Sequence, residues 1–488
     1  MICLLFSVLG AEQSVIYLRL ADALTLDPGK FEDFYSQEVI ANVFEGLVRL
    51  RPGSLVVEPC LAERWIFKEN GKRWLFYLRR GVKFHNGKDF NARSVVYSFK
   101  KRMENMGGEY SAFGRVFPFI SAVSAKDDWS VEIVLTRPYL SFLSSLVDFR
   151  ADIIAPGSAN GREFKPVGTG PFVLSEWVKG RSLVLRRNPL YWDTPARIDK
   201  VVFRSEKSAS LRVAQIKNGS VQISMIRSAA EYSELAGKSD IGIISQPSMS
   251  THYLAFNSLR PPFTQLKVRK AFSHLLNIKV LVRRVFQNLA VPADQFLPPA
   301  MTGTAPAIGG TNFSLQQARL LLKEAGLAKG FSCSLSYSEG QFGVEEIAKA
   351  IVAKAKLVNV MVKSIKLPFD QFFRVVQNGD SDLILMSWGY TADPIVFLNP
   401  MFMLVPSSGK MFSVSPAYAE ILSKAEMTID WKTREKYYAE AQRLIFSELP
   451  LLPLFHLNEL VAYTKRVSWL RMDPLGFLLF KDAILNHE

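Results

Sequence analysis

The second half of the sequence alternates between strand-like and helix-like stretches, and this alternation constrains the fold more than any other feature. The runs SCSLSYS, NVMVKSIKL and DLILMSW are typical of strands, whereas the segments from about Val344 to Lys356 and at FDQFFRVVQNG are typical of helices. Strands that alternate with helices in this way form parallel sheets covered by helices. The sequence therefore predicts α/β lobes.

The first half contains a similar unit together with a strand-rich segment. VIYLRLAD has the two-residue period of a strand, and KVVFRS, a helix around SLRVAQIKNG and the strand VQISMI form a β-α-β unit. Predicted hairpins lie between these parts. The tail from Leu460 has strand character but no local partner, so we expect it to return to the first lobe. We therefore expect two lobes that are connected by at least two crossing strands.

Length and charge narrow the function classes. With 488 residues and 48% hydrophobic content, the chain is too long for a single core, so two or three folded domains are expected. The net charge of +15 permits a nucleic acid, an anionic membrane surface or an anionic ligand as partner. The basic residues are spread along the chain in short clusters, which favours diffuse surface charge over a nucleic-acid site.

The amino terminus has the features of an export signal. Ile2–Leu9 is a short apolar run followed by small residues, as in the core and cleavage region of a secretory signal. A lipoprotein signal would place a cysteine where this chain has Ala11. We therefore predict that residues 1–11 are the remnant of a signal peptide and that the protein is exported to the periplasm or cell envelope.

Cysteines and histidines give little sign of metal or catalytic chemistry. Cys3 falls in the predicted signal. A disulfide between Cys60 and Cys333 is possible, but the sequence does not decide whether it forms. The five histidines show no metal-ligand spacing, and HExxH, GxSxG and P-loop patterns are absent. No metal site, no cofactor and no enzymatic activity are predicted, and a secreted hydrolase is the less favoured alternative.

Several longer segments then point to one family by their order and spacing. The segments are TLDP at 25–28, Leu61–Lys101, Lys165–Trp192, YLAFNSLRPPFTQLKVRKAF, QARLLLKEAG and DPLGF at 473–477. In this order they resemble the solute-binding proteins of ABC importers, in the extracellular family 5 group of dipeptide-, oligopeptide- and nickel-binding proteins. The dipeptide-binding branch is most similar, and the resemblance covers nearly the whole chain.

The resemblance implies an α/β, two-lobed periplasmic-binding-protein fold of type II, in the large family 5 form with an inserted subdomain in lobe I. Lobe I would comprise 12–256 and 464–488, with the insertion at about 51–164, and lobe II would comprise 257–463. The crossings would lie near Asn257 and near His456 to Tyr463. Such a protein closes around its ligand and docks on a permease complex in the inner membrane. A monomer is expected.

The resemblance also directs attention to the apolar run from Leu383 to Phe402, which is broken by a polar and aromatic loop. A free peptide brings an ammonium group, which must meet a fixed carboxylate when it is buried. Asp393 stands where peptide-binding relatives place that anchor, although they often have two acidic residues in a longer segment. The alternative is that Asp393 starts a turn before Pro394, a common role of Asp-Pro.

Five further residues complete the predicted ligand site. Trp388, Gly389, Tyr390 and Thr391 are expected to bind the main chain of an extended peptide, as an added strand does. Core packing is the alternative for Trp388. Tyr110 matches a ligand-facing tyrosine of dipeptide-binding relatives, with surface packing as the alternative.

The region that would bind the carboxylate end of the ligand departs from the family pattern. Dipeptide binders place an arginine near the start of the helix after LSYSEGQFG, where this chain has Val344–Ile347 without an arginine. Either another basic residue binds the carboxylate, or the ligand is a longer peptide, carries a cationic side chain, or is a different amino-acid conjugate. A receptor for nickel or a metal chelate is the second hypothesis, and an envelope chaperone or adhesin that reuses this fold is the third.

Overall fold

A twelve-stranded sheet runs through both halves of the molecule and sets the position of everything else. In the computed structural model, the described residues are 12–31, 33–104, 117, 119–160, 163–287, 289–301, 312–395, 397–398, 415–428 and 430–486. The predicted signal segment at 1–11 and the predicted ligand residue Tyr110 lie outside these ranges. None of the described helices combines the length and the apolar character that crossing a bilayer requires.

The first part of the chain forms the start of the large sheet and a separate four-stranded antiparallel sheet in the order β4-β5-β7-β6. The small sheet falls within the range predicted for the inserted subdomain. The elements are β1 (Ser14–Arg19), α1 (Phe34–Val43), β2 (Val48–Leu50), β3 (Val57–Pro59), β4 (Ala62–Lys68), β5 (Arg73–Leu78), α2 (Ala92–Met103), β6 (Ile120–Asp127), β7 (Ser130–Leu135), α3 (Phe142–Ser145), β8 (Ala159–Asn160) and β9 (Glu163–Phe164).

The next part completes the first parallel unit. Strand β1 pairs in parallel with both β12 and β13, so these three strands end on the same edge of the sheet. The β-α-β unit predicted from the sequence corresponds to β12, α4 and β13. The elements are β10 (Phe172–Val178), β11 (Ser182–Arg187), β12 (Lys200–Ser205), α4 (Ala209–Lys217), β13 (Ile223–Met225), α5 (Ala229–Leu235) and β14 (Ile241–Pro247).

The remaining chain builds a second parallel unit, in which β17 pairs in parallel with β18 and β19. Its strands and helices alternate as the sequence predicts. The elements are β15 (Ser250–Phe256), α6 (Leu266–Ser273), α7 (Ile278–Phe286), β16 (Ala290–Pro292), α8 (Leu315–Glu324), β17 (Phe331–Ser338), α9 (Val344–Lys356), β18 (Val360–Leu367), α10 (Phe369–Asn378), β19 (Leu383–Gly389), α11 (Pro416–Met427), α12 (Trp431–Glu448), β20 (Leu451–Thr464), β21 (Val467–Ser468), β22 (Arg471–Met472), β23 (Leu478–Leu479) and β24 (Ile484–Leu485).

Strand β20 connects the two parallel units. Its first half pairs with β15 and β16, and its second half, from Asn458, pairs with β13 and β14. The other crossing lies where β14 ends and β15 begins, around 247–250. This is a few residues before the expected crossing near Asn257, and the exact lobe boundaries stay predictions.

The two described cysteines are not bonded to each other. Cys60 and Cys333 are both free and buried. Cys60 packs in a core that includes the four-stranded sheet, whereas Cys333 packs in a separate core around β17. The disulfide that the sequence left open is therefore not formed. Burial raises the pKa of the Cys333 thiol to about 12, so it stays protonated at neutral pH.

A buried carboxylate explains why the segment Lys165–Trp192 is so characteristic. Glu45 accepts hydrogen bonds from Thr169 Oγ1 at 2.7 Å, from Tyr191 Oη at 2.9 Å and from Trp192 Nε1 at 2.8 Å. Burial raises the pKa of Glu45, and the three donors partly offset this effect. The motif residues thus converge on one acceptor and fix the loop against the end of α1.

The glycines of VGTGPF at 167–172 allow the backbone to pack closely against the end of α1. A Cβ on Gly168 would lie 2.1 Å from the carbonyl oxygen of Val43, which no side chain tolerates. The Gly170 amide donates to that same carbonyl at 3.1 Å. His85 holds the loop from the other side, since its Nδ1 accepts from the Gly168 amide at 3.2 Å and its Nε2 donates to the Gly170 carbonyl at 3.0 Å. The segment is therefore packed closely between the end of α1 and His85.

This geometry makes His85 a source of acid sensitivity. Burial lowers its pKa from 6.5 to about 4, and the hydrogen bond to Gly170 only partly opposes this shift. A second ring proton would also face the Gly168 amide, which donates to Nδ1. As the pH falls below about 6.5, the unfolded chain therefore binds a proton that the folded chain rejects, and stability is lost between pH 6.5 and 4. Acidification from pH 7.5 to pH 5 should lower the free energy of unfolding by about 2 kcal/mol through His85.

The measurement is chemical denaturation of the wild type and His85→Gln at both pH values. Other groups titrate equally in both proteins, so the difference between them isolates His85. We expect the wild type to lose about 2 kcal/mol more than the variant on acidification. Equal losses would contradict the assigned neutral tautomer.

Candidate ligand-binding site

A cavity of about 710 Å³ lies between the two parallel units. On the first side it is lined by residues that directly follow parallel strands: Leu20–Asp22 after β1, Lys207 after β12 and Arg227 after β13. The carboxyl ends of parallel strands are the usual ligand-binding edge of an open α/β sheet. The first wall of the cavity is therefore such an edge.

The second wall is built in the same way. Ser338 ends β17 and Glu339–Phe342 follow it, Lys366 and Phe369 flank the end of β18, and Trp388–Thr391 lie at the end of β19. Two ligand-binding edges thus face each other across one cavity. This arrangement can enclose a small molecule from both sides.

The charges in the cavity are nearly balanced, in contrast to the net charge of +15 for the chain. Among the described residues, the basic side chains that line it are Arg150, Lys207, Arg227 and Lys366, and the acidic ones are Asp22, Asp33, Asp148, Glu339 and Glu459. A wall with both signs matches a ligand that carries both charges better than it matches a polyanion.

An ion pair lies where the two walls meet. Arg227 Nη2 lies 3.1 Å from Glu459 Oε2, and both side chains are largely buried. Tyr390 donates from its hydroxyl to Glu459 Oε1 at 3.1 Å. Burial alone would lower the pKa of Arg227, but Glu459 and the nearby tyrosines together outweigh it and keep the pKa above its ordinary value. Arg227 thus stays charged inside the cavity.

Two other charged groups of the first wall are engaged in local structure. Asp148 accepts from Arg150 Nη1 with both carboxylate oxygens, at 3.1 and 3.0 Å. Asp33 is the N-cap of α1 and accepts from the amide of Ser36 at 2.8 Å. Burial raises the pKa of Asp33, and the hydrogen bonds from Ser36 partly offset this.

The structure brings four of the predicted ligand residues together. Trp388, Gly389, Tyr390 and Thr391 all line the cavity. Gly389 must be glycine, because a Cβ there would lie 2.2 Å from the carbonyl oxygen of Met249 on the adjacent chain segment. Trp388 Nε1 donates to the carbonyl of Phe397 at 2.9 Å, which orients its ring.

Tyr390 has an unusual backbone. Its φ is +65°, a left-handed conformation that is costly for a residue other than glycine. Its amide donates to the carbonyl of Met249 at 2.8 Å, and its ring packs against Phe34 and Phe477 at centroid distances of 5.4 and 5.6 Å. These contacts hold the strained residue at the junction of the walls.

Asp393 lies outside the residues that line the cavity. It is 4% exposed, its Oδ1 accepts from the amide of Ile395 at 2.7 Å, and its carbonyl accepts from the amide of Phe397 at 2.9 Å. This is the geometry of a helix N-cap. The turn-starting role named as an alternative is thus present in the structure, and the role as ammonium anchor stays a prediction.

The charge of Asp393 acts away from the cavity. Burial raises the pKa of Glu426 to about 7, with Arg137 opposing the shift and Asp393 adding to it. Arg137 lies 2.5 Å from Glu426 and joins the segment after the four-stranded sheet to α11. Asp393 is therefore near a contact between the predicted insertion and the second parallel unit.

The first turn of α9, where an arginine was expected, contains Glu345 and Glu346. Glu345 pairs with Lys349 at 2.9 Å and with Lys366 at 3.0 Å. Lys366 also lines the cavity, so it is a basic group that can reach a ligand from this side.

Sequence reasoning missed Arg227 and Glu459. Arg227 follows a strand that the sequence predicts correctly, so the rule on carboxyl ends of parallel strands could have identified it. Glu459 is inside a strand, and only the pairing of β20 reveals that it meets Arg227. The sequence predicts that Phe369 belongs to a helix, but it does not show that this side chain lines the cavity.

The comparisons with known proteins agree with this geometry. The profile of the family described as "Bacterial extracellular solute-binding proteins, family 5 Middle" matches residues 56–408. The dipeptide-binding protein of Escherichia coli K12 is 30% identical over 479 residues, which cover 91% of this chain and 89% of that protein.

Solved structures show the same architecture. The dipeptide-binding protein of Pseudoalteromonas sp. SM9913 in complex with Met-Leu has a TM-score of 0.90 at 26% identity, covering 97% of this chain and 100% of that one. An ABC transporter-associated periplasmic binding protein of Helicobacter pylori in complex with peptide STSA has a TM-score of 0.89 at 25% identity, covering 97% and 98%. The two-lobed fold is confirmed, and the chain belongs to the bacterial extracellular solute-binding proteins of family 5.

Proposed function

We propose that the protein is the substrate-binding receptor of an ABC importer and captures short peptides between its lobes. A similar protein is named for dipeptide binding, and two structural neighbours hold the peptides Met-Leu and STSA. A family of solute-binding proteins acts by binding, so the role is that of a receptor and not of an enzyme.

The observation that carries the proposal is the cavity between two ligand-binding edges with charges of both signs. A peptide is a zwitterion, and each buried end needs an opposite charge or strong hydrogen bonds. The cavity supplies both kinds of group, and its volume of about 710 Å³ accommodates more than two small residues. Polar main-chain groups of Trp388–Thr391 could pair with the peptide backbone.

The remaining parts of the function follow from this role. The receptor would close around the peptide, dock on a permease complex in the inner membrane and act as a monomer in the periplasm. A nickel or metal-chelate ligand is the alternative within the fold, and His252, Arg150 and Arg227 line the cavity as that alternative requires. Burial lowers the pKa of His252 to about 3, so its ring is neutral at physiological pH.

Peptide binding can be measured directly. We expect ligand released from the purified protein by denaturation to contain di- or tripeptides in mass spectrometry. Added di- and tripeptides should raise the melting temperature, because a ligand that binds only the folded state stabilises it. Free amino acids and nickel with histidine are the controls. Stabilisation by the nickel mixture alone, without any peptide effect, would contradict the proposal.

Two variants of Asp393 separate its structural role from a role in binding. Asp393→Ala removes the cap and should lower the free energy of unfolding by about 1 kcal/mol. Asp393→Asn keeps a cap of similar quality and should retain nearly full stability. Thermal melts of the two variants against the wild type measure this difference.

The same variants test the anchor. If Asp393 meets the ammonium of the peptide, Asp393→Asn should weaken peptide binding at least tenfold in calorimetry despite its normal stability. An unchanged affinity in Asp393→Asn would contradict the anchor, and capping would then be the only role of Asp393 that these variants support. Equal stability of the Ala and Asn variants would argue against the cap.

A further inference from the structure

Helix α10 carries a solvent face and an aromatic stripe. Asp370 and Arg374 form an ion pair at 3.2 Å on the solvent face, where both are 66% exposed. Phe369, Phe372 and Phe373 all line the ligand cavity. Phe372 is the buried member of the stripe, since it is 3% exposed and packs into the core that also contains part of the four-stranded sheet.

The cavity face carries an aromatic pair that the protein itself leaves partly uncovered. The rings of Phe369 and Phe373 stack at 6.1 Å with an interplanar angle of 18°. Phe369 is 38% exposed, whereas Phe372 beside it on the same helix is almost fully buried. An aromatic side chain exposed in a concave site gains from contact with an apolar group of a ligand.

The pair is held in place by its surroundings. Phe372 and Val376 anchor α10 to the core, and the helix ends at Gly379, whose φ of +67° gives a left-handed cap. Pro368 precedes the first turn and restricts the backbone there. Phe369 and Phe373 are thus presented on a fixed element, as a specificity-determining subsite requires.

Other parts of the cavity are also apolar. Leu24, on the wall formed by the first parallel unit, is 61% exposed and lines the same cavity. Met386 and the buried Phe342 line it on the side of the second unit. Leu24 and Phe369 thus place one exposed apolar group on each wall, which indicates a ligand that brings a large apolar group of its own.

We propose that Phe369 and Phe373 form a subsite for an aromatic or large aliphatic side chain of the bound peptide. This inference rests on the proposed peptide-binding function and adds the class of peptide preferred. The side chain stacks on the exposed ring of Phe369, and the peptide ends are met by the charged groups elsewhere in the cavity. Peptides of small residues leave the aromatic pair uncovered and bind more weakly.

The experiment is calorimetry with Ala-Ala, Ala-Phe and Phe-Ala and with the corresponding tripeptides extended by alanine. We expect the wild type to bind at least one phenylalanine peptide at least tenfold more tightly than the alanine peptide of the same length. In Phe369→Ala/Phe373→Ala this preference should fall below threefold, while the affinity for the alanine peptides changes less than threefold.

Phe67→Ala is the matched control. Phe67 is 50% exposed and packs against Trp74 at a centroid distance of 5.1 Å, but it belongs to β4, in the four-stranded sheet, and does not line the cavity. This variant should keep the full preference. If circular dichroism shows that the double variant is unfolded, the single variant Phe369→Ala takes its place, with an expected loss of preference of at least threefold.

The outcomes separate the two proposals. Equal affinity of the wild type for alanine and phenylalanine peptides, or a preference that survives in the folded variants, would overturn the subsite while peptide binding stands. Loss of preference in Phe67→Ala as well would also overturn it. A wild type that binds none of the peptides would overturn the proposed function and the subsite with it.

Discussion

Strand β20 is the constraint on which the rest of the structure depends, because one continuous strand of fourteen residues belongs to both parallel units. Its pairing partners change between Leu457 and Asn458. Any change in the angle between the units must therefore be absorbed near this point and at the neighbouring crossing around 247–250. Glu459 follows immediately, so the centre of the cavity is built at the place where the units join.

The ion pair at this junction links ligand binding to the arrangement of the two walls. Arg227 follows β13, Tyr390 follows β19, and both meet Glu459 of the shared strand. Removing one partner of a buried pair leaves the other charge uncompensated, which costs several kcal/mol. Movement that withdrew Tyr390 would remove one hydrogen bond to Glu459 and also release its strained backbone. The two effects oppose each other, which suits the closure around the ligand that the proposed function requires.

The order of strands and helices was predictable from the sequence, because each element carries its own periodicity and turn residues. The loop Trp388–Thr391 could be assigned to the cavity because it follows a predicted parallel strand. The role of Asp393 could not be decided from the sequence, since Asp-Pro has the same sequence whether the carboxylate caps a helix or binds a ligand. The contact between Arg227 and Glu459 could not be predicted, because it depends on the pairing partners of β20 across 232 positions of chain. The faces of α10 likewise depend on what packs beside it.

The net charge of +15 and the balanced cavity act at different stages of binding. Solvent-exposed charges on the outer surface are screened by salt beyond a Debye length, so they act on the approach of a ligand more than on its retention. Charges inside the cavity are partly desolvated and act at short range, so they decide which ligand is retained. Every free peptide carries the same two end charges, so the charged groups of the cavity favour zwitterions as a class but do not distinguish one peptide from another. Discrimination between zwitterionic ligands then falls to apolar contact, and the exposed aromatic pair on α10 is where such contact is available.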